Sequence, residues 1–197
     1  MSVTVDYGLL NHIALHFNAP KYKMTKQHQI YNIQHLVPFM NLWFKHYKIN
    51  TPLRVAHFLS QACCETFQYS SLIESPTHGG EEYDAGTKIG RMLGNNQKGD
   101  GPRYIGRGML HLTGRFNYQQ MGRKIGVNLV DKPNLVSTDF NIAVRTACEY
   151  WTMKSCNLAA DRDNFDAIMT KINGGTTNGR QERLDALNRA KRYLGIS

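Results

Sequence analysis

The stretch Asn50-Thr51-Pro52-Leu-Arg-Val-Ala-His-Phe-Leu-Ser-Gln-Ala-Cys-Cys-Glu65-Thr66 carries the clearest helix signal in the chain. Thr51 suits the N-cap, and Pro52 suits the first helical position, where a missing N–H leaves no hydrogen bond unmade. Apolar side chains then recur at steps of three and four residues, as on one helix face: Val55, Phe58, Leu59 and Ala62. The stretch therefore predicts a helix with one buried face.

Glu65 is the one carboxylate near that face. It follows Ala62 by three residues and Phe58 by seven, so its side chain projects from the edge of the apolar stripe. Lost hydration there favours the neutral form of a carboxylic acid, which a general acid requires. The alternative is an ordinary ion-paired carboxylate at the C-terminal end of a helix.

Helical patterns continue on both sides of this stretch. Upstream, Gln27 to Tyr47 has helical periodicity with an expected break near Pro38. Downstream, three more helices are predicted: Asn141 to Met153, Phe165 to Ile172, and Gln181 to Tyr193. Between the Asn50–Thr66 stretch and these three helices, the segment from Ser75 to Gly108 is rich in glycine, which predicts loops with at most a small β-hairpin.

The predicted fold is mainly α. We expect a single catalytic domain over residues 1–197, with an N-terminal helical part (1–50) and a catalytic core (51–197). The catalytic core should form two lobes around the glycine-rich segment. A chain of 197 residues is long enough to bury a hydrophobic core without disulfide bonds or structural metal ions.

Composition narrows the classes of function. The formal net charge is +9, which favours a polyanionic partner such as nucleic acid, an anionic membrane or bacterial cell wall. The longest apolar run, Leu36 to Phe44, falls short of the roughly 20 residues that span a bilayer. The N-terminus lacks the pattern of a secretory signal, and the four cysteines form no CxxC pair, so free buried thiols are expected.

Glu74 is a second candidate carboxylate, nine residues after Glu65. Nine helical steps of about 100° would place the two on opposite faces, so they can share a cleft only if the helix ends between them. Two carboxylates across a cleft are the minimal machinery of glycoside hydrolysis, inverting at about 6.5–9.5 Å separation and retaining at about 5–5.5 Å. Spacing alone leaves competing candidates in the glycine-rich segment: Glu81, Glu82, Asp84 and Asp100.

Three segments, in order, resemble glycoside hydrolase family 19, which includes chitinases and the lysozyme-like endolysins of bacteriophages. Ala62-Cys-Cys-Glu65-Thr66 resembles the Ala-x-His-Glu-[Ser/Thr] helix end of that family. Tyr104-Ile-Gly-Arg-Gly108-Met-Leu-His-Leu-Thr113-Gly-Arg-Phe-Asn117-Tyr118 resembles its YxGRGxxQLTGxxNY segment, and Ile172-Asn173-Gly174-Gly175 its INGG segment. The stretch from Gly94 to Gly101 is more similar to the endolysin branch than to plant chitinases.

The resemblance implies roles for individual residues. Glu65 would be the general acid, Glu74 the base that activates water, and Thr113 the hydroxyl that holds this water, with inversion at the anomeric carbon. The implied substrate-binding residues are Tyr104, Arg107, His111, Asn117, Tyr118, Asn173 and Arg183. Tyr104 and Tyr118 have packing as an alternative role, and Asn173-Gly174-Gly175 a helix C-cap.

Two positions depart from the family pattern. Cys64 replaces the histidine that usually precedes the acid, and His57 is the nearby histidine that could substitute for it. His111 stands where the family often has glutamine, which adds a pH-sensitive group to the predicted cleft.

The resemblance implies a peptidoglycan-degrading endolysin, a muramidase without cofactor or metal. Its partner would be the glycan strands of peptidoglycan, with contact to anionic envelope lipids and no nucleic acid. We expect a monomer that is made in the cytoplasm of a host bacterium and acts in the periplasm. The alternatives are a chitinase of the same family, a lytic transglycosylase and, in a different class, a basic nucleic-acid-binding module. The last would use cations of the C-terminal helix, although Glu182 and Asp185 interrupt them.

Overall fold

The computed structural model describes residues 2–196, and the regular secondary structure of this part of the chain is almost entirely helical. Its helices, in chain order, are α1 (Tyr7–Ile13), α2 (Lys23–His46), α3 (Pro52–Glu65), α4 (Lys88–Met92), α5 (Asp100–Arg103), α6 (Arg115–Ile125), α7 (Leu135–Thr138), α8 (Phe140–Met153), α9 (Cys156–Ala160), α10 (Phe165–Asn173) and α11 (Arg180–Leu194). Short 3-10 turns lie at Pro20–Tyr22 and Glu81–Tyr83. The mainly α fold class is thus confirmed.

Helix α3 runs through the centre of the larger hydrophobic core. It begins as predicted, because the Thr51 side chain accepts a hydrogen bond from the Arg54 N–H at 3.3 Å and Pro52 occupies the first turn. Its residues from Val55 to Cys63 are all buried. Helix α11 packs along α3, and α1, α9 and α10 also contact α3. Glu65 is therefore attached to the most enclosed element of the protein.

The predicted break near Pro38 is wrong, since α2 continues through this residue to His46. A proline in a helix interior removes one backbone hydrogen bond. The buried face of α2 lies on both sides of Pro38 and packs on the core, which holds the helix together: Ile33, Leu36, Met40 and Phe44. Asn41 adds an anchor, because its side-chain amide exchanges hydrogen bonds with the backbone of Val5.

The glycine-rich segment consists of loops and short helical turns. Among the described residues, β structure is limited to isolated bridges that pair Arg107 with Ile73 and with Leu112. The segment is tied together by side chains, as when Asp84 accepts the N–H groups of Gly99 and Gly101. These bridges bring the chain just before Glu74 against the segment around Arg107.

A second, smaller hydrophobic cluster lies beside the main core, in agreement with the two predicted lobes. It is built mainly from α6 and the segment that follows it: Tyr104, Tyr118, Met121, Ile125, Leu129, Val136 and Ile142. Helix α8 joins the lobes, because Ile142 belongs to the small cluster whereas Ala143 and Val144 belong to the large one. The face of α8 between the lobes is where a cleft can open.

All four cysteines are free thiols, as the sequence predicts, and three of them are buried. Between residues 2 and 196, the structure has no helix with the length and apolar character that crossing a membrane requires.

Candidate active site

Glu65 is the last residue of α3, and its side chain is 14% exposed. One carboxylate oxygen, Oε1, accepts a hydrogen bond from Nη2 of Arg183 at 2.7 Å. The other oxygen, Oε2, lies 3.3 Å from Nδ1 of His111. The candidate acid thus sits between a guanidinium and an imidazole that come from distant parts of the sequence.

Arg183 is held rigidly on α11, with its side chain only 6% exposed. Its Nη1 donates to Oε1 of Gln61, one turn before Glu65 on α3, at 2.9 Å. A guanidinium fixed at several points presents its charge to the carboxylate in one geometry. Arg183 therefore pairs with the Glu65 carboxylate, and its contact with substrate stays a prediction.

The contacts of Glu65 do not favour its neutral form. Burial raises the pKa of this carboxyl group, but the His111 hydrogen bond and the Arg183 charge together outweigh burial and leave the pKa below its ordinary value. The expectation from sequence, that lost hydration keeps Glu65 protonated, omitted these two partners. The alternative of an ion-paired carboxylate describes the free protein better.

A tight turn separates Glu65 from the next candidate. Phe67, Gln68 and Tyr69 follow one another in the left-handed backbone region, which side chains other than glycine rarely occupy. The turn is held because Gln68 N–H donates to Cys63 O at 2.7 Å and Tyr69 O–H to Leu59 O at 2.8 Å. The helix therefore ends between the two carboxylates, as a shared cleft requires.

Glu74 is fastened to the loop at Gly106 by two hydrogen bonds. Its own N–H donates to Gly106 O at 3.0 Å, and the Gly106 N–H donates to the carboxylate oxygen Oε1. Burial and the charge of the neighbouring Glu74 carboxylate raise the pKa of Tyr83. The Glu74 carboxylate is therefore held in place beside the glycine-rich segment.

Three of the other carboxylates in the glycine-rich segment accept hydrogen bonds from loop backbone instead. Glu82 accepts the N–H groups of His78 and Gly80, and Asp84 those of Gly99 and Gly101. Asp100 accepts from Asn96 and Gln97 and pairs with Arg115. These contacts favour Glu74 over the three as the second member of a catalytic pair.

Glu65 and Glu74 approach one another around Gly106 and His111. A Cβ atom added at Gly106 would lie 2.8 Å from Cδ of Glu74 and 3.0 Å from Cβ of His111. His111 in turn contacts Glu65. The two carboxylates therefore flank one short loop, an arrangement that can place an acid and a base around one glycosidic bond.

A cavity of about 270 Å³ opens beside this loop. Four predicted site residues line it: Arg107, His111, Thr113 and Asn117. The Thr113 hydroxyl donates to His111 O at 3.0 Å, and the Asn117 amide to Thr113 O at 2.8 Å, so the wall is braced internally. A cavity with an apolar floor and a few polar groups suits a sugar ring with an N-acetyl group.

The predictions from sequence did not indicate that the C-terminal end of α8 forms one wall of the cavity. Tyr150, Met153 and Lys154 line it, although the apolar pattern of α8 indicated only a buried helix. Helical spacing offered a signal, because Met153 and Lys154 follow Tyr150 by three and four residues and so lie on the same side of the helix end.

The sequence predicts that the rings of Tyr104 and Tyr118 contact sugar. The structure differs from this prediction, since neither side chain has exposed surface. Their rings pack on each other with centroids 5.3 Å apart in the smaller core. The Tyr118 hydroxyl donates to Ile105 O and accepts from Nη1 of Arg107. Tyr118 therefore holds the loop of Arg107 and Tyr104 packs behind it, which is the packing alternative.

Asn173 is the last residue of α10 and is not among the side chains that line the cavity. Gly174 follows in the left-handed conformation and ends the helix, so the C-cap interpretation of this segment is confirmed. The Asn173 Nδ2 group is buried without a partner in the described structure. Its contact with substrate stays a prediction.

His57 does not replace the histidine that usually precedes the acid. It is fully buried, and its Nε2 lies 2.7 Å from Oδ1 of Asp163. Burial raises the pKa of the Cys64 thiol to about 12, so Cys64 is a neutral thiol at physiological pH. The imidazole that meets Glu65 comes from His111 instead. Among residues 2–196, no group of three or more His, Cys, Asp or Glu side chains is placed to hold a metal ion.

Gly106→Ala should lower activity by at least about tenfold, the equivalent of about 1.4 kcal/mol. The new methyl group would meet Glu74 and His111 at the distances given above and must displace one of them. Overpacking of this kind costs about 1–3 kcal/mol of stability. The measurements are glycan turnover and the thermal midpoint.

Gly8→Ala is the matched control for crowding, because its new Cβ atom would lie 2.7 Å from the Tyr193 hydroxyl, on α1 and α11. It should leave turnover unchanged. Equal turnover in both variants would contradict a role for the Gly106 contact.

Comparison with known proteins places the chain in a family. The glycoside hydrolase family 19 model, described as chitinase class I, matches residues 52–185. Endochitinase CH5B of Phaseolus vulgaris is 32% identical over 121 residues, a match that covers 49% of this chain and 37% of the relative. Chitinase 8 of Oryza sativa subsp. japonica is 33% identical over 121 residues, covering 50% and 46%. The chain thus spans less than half the length of these curated relatives.

Solved structures show the same fold at lower identity. Chitinase C from Streptomyces griseus HUT6037 superposes with a TM-score of 0.73 at 21% identity, covering 100% of this chain and 95% of that one. The family GH19, class IV chitinase from Zea mays gives 0.69 at 21% identity, covering 98% and 94%. Together with the family model, which matches more than half of the chain, these likenesses show that the protein belongs to glycoside hydrolase family 19.

Proposed function

We propose that the protein hydrolyses β-1,4 glycosidic bonds with Glu65 as general acid and Glu74 as general base. The observation that carries the proposal is the placement of both carboxylates around the Gly106–His111 loop, next to a cavity lined by Thr113 and Asn117. A glycan that follows this cavity would bring one glycosidic oxygen to Glu65 and the opposite face of the sugar to Glu74.

The chemistry is a single displacement. Glu65 gives its proton to the leaving glycosidic oxygen while the C–O bond breaks. A water molecule held by Thr113 attacks the anomeric carbon and loses a proton to Glu74. The new bond forms on the face opposite to the leaving group, so the configuration inverts and no covalent intermediate is formed.

The substrate we propose is the peptidoglycan of a bacterial wall, cut between N-acetylmuramic acid and N-acetylglucosamine. The net charge supports it, since residues 7–64 contain six Lys or Arg and no Asp or Glu. Chitin is uncharged, whereas peptidoglycan carries carboxylates that such a surface attracts. Lys154 and Arg107 also place cationic side chains at the cavity wall.

Chitin is the second candidate, because the curated relatives are named as chitinases and endochitinases. Family membership supports both polymers, which share β-1,4-linked N-acetylglucosamine. The choice therefore rests on the charge distribution and not on the catalytic residues.

The nucleic-acid alternative loses support from the contacts of α11. Most of its cations are engaged within the protein: Arg183 with Glu65, Lys191 with Asp163, Arg180 with Asp166, and Arg189 with the backbone of Ile13. A phosphate-binding surface needs free cations on one face. We therefore keep the proposal of a monomer that meets glycan, with anionic envelope lipids as a secondary contact. Synthesis in a host cytoplasm and action in the periplasm belong to the same proposal.

Digestion of purified peptidoglycan and of colloidal chitin, followed by mass spectrometry, tests the substrate. We expect muropeptides that end in reducing N-acetylmuramic acid, with much slower release from chitin. Oligomers of N-acetylglucosamine from chitin and no release from peptidoglycan would identify a chitinase. Anhydro products would identify a transglycosylase, and DNA binding without sugar release would favour the nucleic-acid module.

A further inference from the structure

His111 has a contact that a simple sugar-binding residue does not need. Its Nδ1 faces Oε2 of Glu65 at 3.3 Å, and both side chains are largely enclosed, with 18% and 14% of their surface exposed. The backbone of His111 has φ of 42°, a left-handed conformation that is rare for such a side chain. The loop thus holds the imidazole against the carboxylate at some conformational cost.

The second nitrogen of the same ring is unpaired. Nε2 is buried and has no hydrogen-bond partner in the described structure, although the residue lines the cavity. A buried polar atom without a partner is uncommon in native proteins, and at a cavity wall it can be satisfied by a group that enters the cavity. One nitrogen therefore serves Glu65, and the other is available to glycan.

The contacts of Glu65 pose a problem for acid catalysis. A general acid must carry a proton when the bond breaks, but Arg183 and His111 both stabilise Glu65 as a carboxylate. Arg183 cannot supply a proton, because a guanidinium does not lose one in proteins. Among the partners of Glu65, His111 is the group that can both take up and give up a proton, because each of the two imidazole nitrogens can carry one.

We infer that His111 holds the proton that Glu65 delivers, so that the two side chains act as one acid pair. The inference rests on the proposed role of Glu65. In the free protein the proton lies on Nδ1 of an imidazolium beside the Glu65 carboxylate. Glycan that fills the cavity excludes water and weakens the charged form of the pair, and the proton moves to Oε2.

The proton balance then closes in one turnover. Protonated Glu65 gives the proton to the leaving oxygen and returns to a carboxylate, while neutral His111 keeps its Nε2–H for a glycan oxygen. The attacking water passes its proton to Glu74, which releases it to solvent. His111 takes one proton from solvent before the next cycle. In this arrangement His111 is a positioning and proton-holding residue, and Glu65 is the catalytic acid.

The other charged and titratable groups around His111 do not take over this role. Glu74 lies across Gly106 from it, and Arg183 faces it across Glu65. Arg107, Lys154 and Tyr150 share the cavity wall with it. Burial raises the pKa of Tyr150, which keeps that hydroxyl neutral, and the arginines stay charged throughout the working range.

His111→Gln tests the inference, because glutamine can still donate to Glu65 but cannot store a proton. We expect the ratio of variant to wild-type activity to be at least about tenfold lower at pH 8 than at pH 5, since Glu65 must then keep its own proton. The alkaline limb of the pH–activity profile should move to lower pH. His28→Gln, an exposed histidine on α2, is the matched control and should leave the profile unchanged. A uniform loss at every pH, or no loss, would overturn the inference.

Nitrogen NMR of the imidazole rings gives a readout without turnover. The His111 signal is the one absent from His111→Gln, and the inference expects the ring to carry a second proton in wild type and to lack it in Glu65→Gln. The same protonation state in both proteins would also overturn the inference. If Glu65→Gln is inactive while the His111 results fail, the proposed function stands and the acid pair does not. Full activity of Glu65→Gln would refute both.

Discussion

Glu65→Gln should abolish glycan hydrolysis while leaving the fold intact. Loss of general acid catalysis costs about 10²–10⁴-fold in rate, because the leaving oxygen must then depart as an unprotonated anion. The amide oxygen can still accept the hydrogen bond from Arg183, so α3 and α11 should keep their packing. Release of reducing sugar measures the loss of hydrolysis, and circular dichroism tests whether the fold is intact.

Glu182→Gln is the matched control for Glu65→Gln. It removes the same charge from an exposed carboxylate on α11 and should retain nearly all activity. A leaving group that needs no protonation, such as an activated aryl glycoside, should lose much less rate than the natural glycan in Glu65→Gln. Near-normal hydrolysis of the natural glycan by that variant would remove Glu65 from the mechanism.

The position of Glu65 was predictable because its causes are local. A cap at Thr51, a proline in the first turn and one apolar stripe define α3 and its end within about fifteen residues. The end of α10 at Asn173 is local in the same way, since Gly174 adopts the left-handed conformation that stops a helix. In both places the sequence neighbours supply the hydrogen bonds that determine the structure.

The contacts of the site were not predictable because they join distant segments. His111 and Arg183 meet Glu65 across 46 and 118 residues of sequence, and no local pattern reports such a meeting. For this reason the direction of the Glu65 pKa shift is opposite to the one expected from sequence. Burial alone raises this pKa, and the two distant partners lower it. Tyr104 and Tyr118 are the opposite case, in which residues of a recognisable motif are buried and support the site from behind.

Glu74→Gln should also reduce hydrolysis, by about 10²-fold or more, because the attacking water then has no base. The side chain should stay in place, since its amide oxygen can accept from the Gly106 N–H and its backbone N–H still donates to Gly106 O. Glu81→Gln is the matched control, an exposed carboxylate in the same glycine-rich segment that should tolerate the change. Turnover of peptidoglycan and the thermal midpoint are the measurements.

Azide distinguishes a missing base from a distorted site. It attacks the anomeric carbon without losing a proton, so it should restore cleavage in Glu74→Gln and yield a glycosyl azide of inverted configuration. It should not restore cleavage of the natural glycan in Glu65→Gln, where the leaving oxygen still lacks its proton. A lytic transglycosylase needs no base to activate water, because a hydroxyl group of the substrate sugar itself attacks the anomeric carbon. Full activity of Glu74→Gln with anhydro products would therefore assign the protein to that reaction, and full activity with hydrolytic products would move the base to another carboxylate.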